Sequence, residues 1–209
     1  MHDVIPGILE KDSLEIEKKL SLVKRFSQKV HIDVLDGKFS QDLSFIDPTF
    51  FKKYENEFFM EVHLMVENPA SYVKTFAQNG FKRFLGHIEK MKNLDEFIAE
   101  GQIFGEVGIA LDIDTKIESL SLNYDDLDTI LLMGVKAGKS GQTFMSDVLG
   151  KIRELRAKTN LPIEIDGGIN EQTLIDCKLE GATRFVATSY IFNDKDPMQA
   201  YERLLSPSS

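Results

Sequence analysis

His31 and Asp33 stand two residues apart in the stretch VHIDVLDGKF (30–39). In an extended strand successive side chains alternate faces, so His31, Asp33 and Leu35 share one face and Ile32, Val34 and Asp36 the other. An imidazole beside a carboxylate can grip a divalent metal ion. Neutral imidazole suits zinc or iron, and the carboxylate adds charge and a general base. Taken alone, the pair reads equally well as a plain hydrogen bond at a strand end. Two further stretches favour the metal. EVHLMV (61–66) puts His63 and Met65 on one face of a second strand, and IEIDGGI (163–169) ends an apolar run on Asp166. Three strand ends thus offer two histidines and two aspartates. Gly167 and Gly168 follow directly, and a glycine turn lets backbone N–H groups approach an anion closely; the competing reading is a tight turn without a ligand.

Placing these residues together requires a scaffold that gathers strand ends. Short β-like runs near 4–9, 30–36, 61–66, 83–88, 107–111, 129–135, 162–166 and 184–187 alternate with helical patterns near 12–27, 48–57, 69–78, 93–100, 115–120, 146–158, 170–179 and 197–205. Asp12, with Glu15 three residues on, reads as an N-cap for a helix burying Ile16, Leu20 and Val23. Alternation at intervals of roughly 20 to 30 residues predicts parallel β/α units. A closed (β/α)8 TIM barrel is the economical arrangement, since it leaves no sheet edges and fits a chain of about 200 residues or more. The alternative, an open doubly wound sheet, lacks the G-x-G-x-x-G that a dinucleotide crevice needs after its first strand. In a barrel, chemistry belongs at the C-terminal strand ends, and His31, Asp33, His63 and Asp166 all fall in the last part of a predicted strand.

The chain has 209 residues, 42% of them hydrophobic and 28% charged, which suits one globular domain over 1–209 with a loose tail at 205–209. A net charge of -9 argues against a general nucleic-acid binder, whose affinity rests on Lys and Arg. Cys177 is the single cysteine, so no internal disulfide forms, and a reducing compartment is expected. No basic start followed by an apolar core opens the chain, and no run of about 18 apolar residues suggests a membrane span. The cytoplasm is the expected location.

The stretches VIPGIL, HIDVLDGKF, EVHLMV, GHIE, LLMGVKAGKSGQTF, IEIDGGI and VATSYIF follow in the order found in ribulose-phosphate 3-epimerases, and the chain resembles that family over nearly its whole length. The resemblance implies that His31, Asp33, His63 and Asp166 hold one divalent ion (zinc, iron, manganese or cobalt), with Asp33 and Asp166 as the acid/base pair. It implies an apolar cover from Met65 and Met133, and phosphate contacts at Ser140, Gly141, Gln142, Gly167, Gly168, Thr188 and Ser189; Lys139, in a loop that departs from the family pattern, is expected to add charge. The implied reaction inverts C3 of D-ribulose 5-phosphate to D-xylulose 5-phosphate through a 2,3-enediolate, in the pentose phosphate pathway. The expected partner is a small sugar phosphate, with no nucleic acid and no membrane; a homo-oligomer stays open. His87 and Glu89 are expected to support the site by hydrogen bonds rather than to bind the metal. Gly7 and Leu35 fall on the substrate side but depart from the family's usual serine and methionine, and Asp42 falls near its usual asparagine. KAGKSGQ replaces a loop that typically reads Glu-Pro-Gly-Phe-Gly-Gly-Gln, residues 112–115 replace a proline turn, and Thr188 replaces a glycine. The same chemistry on another ketose phosphate, such as a hexulose 6-phosphate, and a non-catalytic sugar-phosphate-binding barrel remain alternatives.

Overall fold

The structure, a computed structural model, describes residues 2–119, 123–138 and 141–207. Eight parallel strands, β1 (Asp3–Ile8), β2 (Lys29–Leu35), β3 (Phe59–Met65), β4 (Phe81–His87), β5 (Glu106–Leu111), β6 (Thr129–Met133), β7 (Ile163–Asp166) and β8 (Arg184–Ala187), close into a barrel in chain order. Pairing of β1 with β8, from Asp3 opposite Arg184 to Pro6 opposite Ala187, seals the ring and rules out the open sheet.

Seven α-helices, α1 (Ser13–Val23), α2 (Ala70–Gln78), α3 (Leu94–Phe104), α4 (Asp147–Arg156), α5 (Glu171–Glu180), α6 (Ser189–Phe192) and α7 (Pro197–Leu205), lie among the described residues. None is long and apolar enough to cross a membrane. Asp12 caps α1 as expected, its carboxylate accepting the N–H groups of Leu14 and Glu15 at 3.0 Å each. Asn170 caps α5 through a reciprocal pair with Thr173. The helix expected to stop near Glu100 continues to Phe104. Gly101 resembles a terminator in sequence, but it marks a close approach: a Cβ there would lie 2.7 Å from Val107 Cγ2 on β5.

Among the described residues, two of the seven strand-to-strand connections are 3-10 segments instead of α-helices. Between β2 and β3 the seven residues Pro48–Tyr54 cover the barrel with aromatic rings, Phe51 packing edge-on against Phe50 and Phe81 at 5.3 and 5.2 Å. Between β5 and β6 the described residues hold two short 3-10 segments, Ile117–Ser119 and Tyr124–Asp126. Asp112 and Asn123 take the N–H groups of Ile113 and Asp125 there, a local competition that disfavours a helix.

Apolar residues on the outer faces of the strands, among them Ile32, Val34, Val62, Leu64, Ile130 and Leu132, pack against the helices and are essentially sealed from water. The inner face is divided. β5 and β6 turn Ala110, Leu131 and Met133 inward, whereas β2, β3 and β7 turn in His31 and Asp33, Glu61 and His63, and Glu164 and Asp166, all buried. Buried charges are costly unless paired, and most of these groups have hydrogen-bonded partners; Glu164 has none and faces His31 and Arg83 at 3.6 and 3.9 Å.

Candidate active site

The ladder between β2 and β3 sets His31 beside Glu61, Asp33 beside His63 and Leu35 beside Met65. Met133 and Asp166 are neighbours across β6 and β7. These registers bring the four expected residues together: one donor atom from each of His31, Asp33, His63 and Asp166 lies within 4.8 Å of the others. That is close to the span a single ion bridges with bonds of roughly 2.0 to 2.3 Å. Asp33 Oδ1 is 3.3 Å from His31 Nε2 and 2.9 Å from His63 Nδ1, and Asp166 Oδ2 is 3.4 Å from the same His63 nitrogen. Two imidazoles and two carboxylates form a donor set suited to a divalent transition metal.

Burial alone would push the Asp33 carboxyl up. The charge of His31 and hydrogen bonds with both histidines outweigh it and hold the group well below the ordinary carboxylate range. Burial likewise opposes protonation of His31 and His63, yet the neighbouring carboxylates raise both. The cluster is electrostatically self-matched.

Each histidine has its far nitrogen occupied. His31 Nδ1 lies 2.7 Å from Glu61 Oε1, and Glu61 is bound by Arg83, which reaches on to Glu106 at 2.7 Å. Burial works against ionisation of Glu61, but His31 and Arg83 hold it down at about 2. Glu164, pushed up by burial and by the charge of Glu61, sits 3.6 Å from His31 Nδ1. His63 Nε2 lies 2.9 Å from His87 Nε2, whose Nδ1 is 3.0 Å from Glu89 Oε2. His87 and Glu89 thus contact the cluster from outside, in the expected supporting arrangement. Glu61 and Glu164 escaped the sequence reading, although each stands two residues before a site residue on the same strand face. Period-two spacing was the available signal. Arg83 gave none, because its partners are on other strands.

A small cavity opens above the cluster. Asp33 and Asp166, 5% and 7% exposed, reach its floor, while His31 and His63 are fully buried beneath. Met65 and Met133 form part of its wall. Its other end is made of Gly141, Gln142, Gly167, Gly168, Thr188 and Ser189, so these expected residues converge. Gly167 and Gly168 both adopt positive φ, 105° and 71°; a side chain at the first would drive into Val135, and at the second a Cβ would lie 2.8 Å from Phe144 Cα. Ser140 and Lys139 lie outside the described residues.

Two expected positions are not on the wall of this cavity. Leu35 faces the adjoining cavity with Asp42, Leu43 and Gly138. Gly7 is screened by Thr188: a Cβ at position 7 would overlap Thr188 Oγ1 and lie 2.8 Å from Val186 Cγ1. Gly7 and Thr188, two separate departures in the sequence, are therefore one feature in which a threonine fills the space a side chain on β1 would take. Gly7→Ser should destabilise by about 1–3 kcal/mol through overpacking. Gly7→Ser combined with Thr188→Gly should recover most of that loss. Denaturant titration of the three variants checks this, and equal destabilisation of the single and double variants would refute the shared-space account.

Fold and site together define an enzyme-like (β/α)8 barrel with a preformed His/Asp cluster, able to hold a metal, at the C-terminal strand ends. The chain belongs to the ribulose-phosphate 3 epimerase family, whose sequence model matches residues 3–192. It is 36% identical over 186 residues to the ribulose-phosphate 3-epimerase of Chlamydia muridarum, covering 84% of this chain and 81% of that one. It is 31% identical over 214 residues to the enzyme of that name from Bacillus subtilis, covering 98% of each. Among solved structures it is similar in fold to 3-hexulose-6-phosphate synthase from Salmonella typhimurium, with a TM-score of 0.72, 12% identity, and 98% and 96% of the two chains covered.

Proposed function

We propose that this protein inverts C3 of D-ribulose 5-phosphate to give D-xylulose 5-phosphate. In this reading Asp33 and Asp166 are the acid/base pair, and His31, Asp33, His63 and Asp166 hold one divalent ion, with zinc, iron, manganese and cobalt all suited to the donors. The observation that carries the proposal is the pair of carboxylates from β2 and β7 at the floor of one cavity, above two sealed histidines.

Inverting a carbon beside a ketone means removing a proton from one face and returning one to the other through a planar enediolate. Two carboxylates divide that work, each contributing ~10²- to 10⁴-fold as a general acid or base. A bound divalent ion supplies electrophilic stabilisation of the negative charge that develops on the substrate's oxygens. Met65 and Met133 line the wall with apolar surface and keep water from the planar intermediate. The phosphate binds at the turns of Gly141 and Gln142, Gly167 and Gly168, and Thr188 and Ser189, where positive-φ glycines bring backbone close to an anion.

The direct test offers purified protein ribulose 5-phosphate and a hexulose 6-phosphate, with and without each of the four metals. Turnover should be metal-dependent, with the higher kcat/KM on the pentulose. A metal-loaded protein that binds these compounds and turns over neither would reduce the chain to a binding barrel.

A further inference from the structure

We propose that the Thr188 side chain is a specificity-determining residue, its hydroxyl holding the substrate hydroxyl on C4, the carbon between the inverted centre and the phosphate-bearing carbon. The inference rests on the epimerase reading given above. Thr188 stands directly before α6, where a threonine hydroxyl usually turns back to accept a helix N–H. Here it makes no such bond, although the Thr188 carbonyl accepts the Phe192 N–H at 3.0 Å. Its Oγ1 leans the other way, over β1, into the space that a Cβ on Gly7 would take. Among the described residues this hydroxyl has no hydrogen-bond partner, and Thr188 lines the cavity. Other polar side chains on the wall are engaged: Asp33 lies against two imidazoles, and the Gln142 amide donates to the Lys136 carbonyl at 2.7 Å.

The place of Thr188 on the wall selects the substrate group. Gly141, Gln142, Gly168 and Ser189 also border a second, outer cavity, together with Tyr190 and Asn193, so the phosphate end is the end that opens outward. Thr188 is not on that outer wall. Around the barrel β7, β8, β1 and β2 are consecutive, with Asp166 on the first and Asp33 on the last. Thr188, just past the end of β8 and leaning over β1, therefore stands on the shorter arc between the two carboxylates, whereas Met65 on β3 and Met133 on β6 lie on the longer one. A ketose phosphate with C3 between the carboxylates and its phosphate at the outer end carries C4 past this stretch of wall. Its C2 and C3 oxygens are engaged at the reacting centre, and C1 lies beyond C2, away from the phosphate. The C4 hydroxyl is the group left for Thr188. Leu9 and Val186, which flank Thr188 on the same arc, are apolar, so a hydroxyl that gives up water here has no substitute side chain. A polar group left unpaired in that way costs more than the bond itself contributes, which is the source of discrimination.

Thr188→Val tests this with almost no change of shape, and Thr188→Ser keeps the hydroxyl while losing the methyl group. Each metal-loaded protein is given ribulose 5-phosphate and the corresponding 4-deoxypentulose 5-phosphate. Exchange of the C3 proton for deuterium in D2O is the common readout, because inverting the 4-deoxy compound yields its mirror image instead of an epimer. On ribulose 5-phosphate, kcat/KM should fall ~10-fold in Thr188→Val and stay near the unaltered value in Thr188→Ser. On the 4-deoxy compound, Thr188→Val and the unaltered protein should be equal, since neither has the hydrogen bond to lose. Denaturant titration shows whether each variant is as stable as the unaltered protein.

A Thr188→Val protein with undiminished kcat/KM on ribulose 5-phosphate would overturn the proposal. So would an equal loss on both compounds, whether it comes from altered packing or from a contact with a different substrate hydroxyl. In either case an unaltered protein that exchanges the C3 proton of ribulose 5-phosphate leaves the epimerase reading standing while the role of Thr188 fails. If the unaltered, metal-loaded protein exchanges the proton of neither compound, the epimerase reading itself is wrong and this inference falls with it.

Discussion

Asp166→Asn should leave a protein that keeps its fold and loses epimerisation by ~10²- to 10⁴-fold in kcat, the usual worth of one general acid or base. Asn nearly preserves the shape of the side chain and removes the ionisable group from the cavity floor. Asp33→Asn should cost at least as much, because Asp33 also lies against both histidines. The two residues act as a unit, so the double variant should be little worse than either single one. Turnover of the unaltered protein in D2O should place deuterium at the inverted carbon, since the carboxylate that returns the proton has exchanged with solvent. The single variants can separate half-reactions: one that still exchanges the proton on a single face, without inverting it, identifies the base of that face. Metal content is measured in each case, because each aspartate is also a proposed ligand. An Asp166→Asn protein that retains its ion and epimerises at the unaltered rate would end the two-carboxylate mechanism.

Removing the divalent ion with a chelator should cost on the order of 10³-fold in kcat, the equivalent of several kcal/mol of charge stabilisation lost from the transition state. The fold should survive. Asp33 is already matched by two imidazoles, Asp166 lies 3.4 Å from His63, and the far nitrogens of those imidazoles have partners in Glu61 and His87, so both ligand carboxylates keep an imidazole neighbour when the ion leaves. Far-UV circular dichroism should be unchanged, stability should fall only by the binding free energy of the ion, and readdition should restore activity. A chelated protein at full rate would remove the metal from the mechanism. A chelated protein that unfolds would show that the charged side of the lumen depends on the ion for its balance.

The barrel and the four-residue cluster were legible in the sequence because both follow from local periodicity. Alternation of short apolar runs with helical patterns gives the β/α units, and period-two spacing gives His31 with Asp33 on one face. Nothing local marks Pro48–Tyr54 as a 3-10 segment, since its length is set by how much barrel the clustered rings of Phe50, Phe51 and Tyr54 cover. Glu61 was hidden for a different reason. A carboxylate beside Met60 reads as the solvent face of a strand until the β2–β3 register sets it against His31. Arg83 matters through Glu61 and Glu106, on the two adjacent strands, and through Glu164 at 3.9 Å on β7. Register between strands is the information a single sequence lacks, and the partners of the site residues are what register decides.

The space shared by Gly7 and Thr188 also constrains descent. A lineage passing from a serine at position 7 and a glycine at position 188 to the glycine and threonine of this chain must change the ends of two adjacent strands, one substitution at a time. Gaining the threonine first forces it into the serine, and about 1–3 kcal/mol of overlap is a large fraction of the roughly 5–15 kcal/mol that holds a domain together. Losing the serine first merely opens a gap at the edge of the cavity, which the threonine then refills. The glycine–glycine form is the passable intermediate of such a path. A chimera that inherits only one of these strands from such a relative would receive either the collision or the gap.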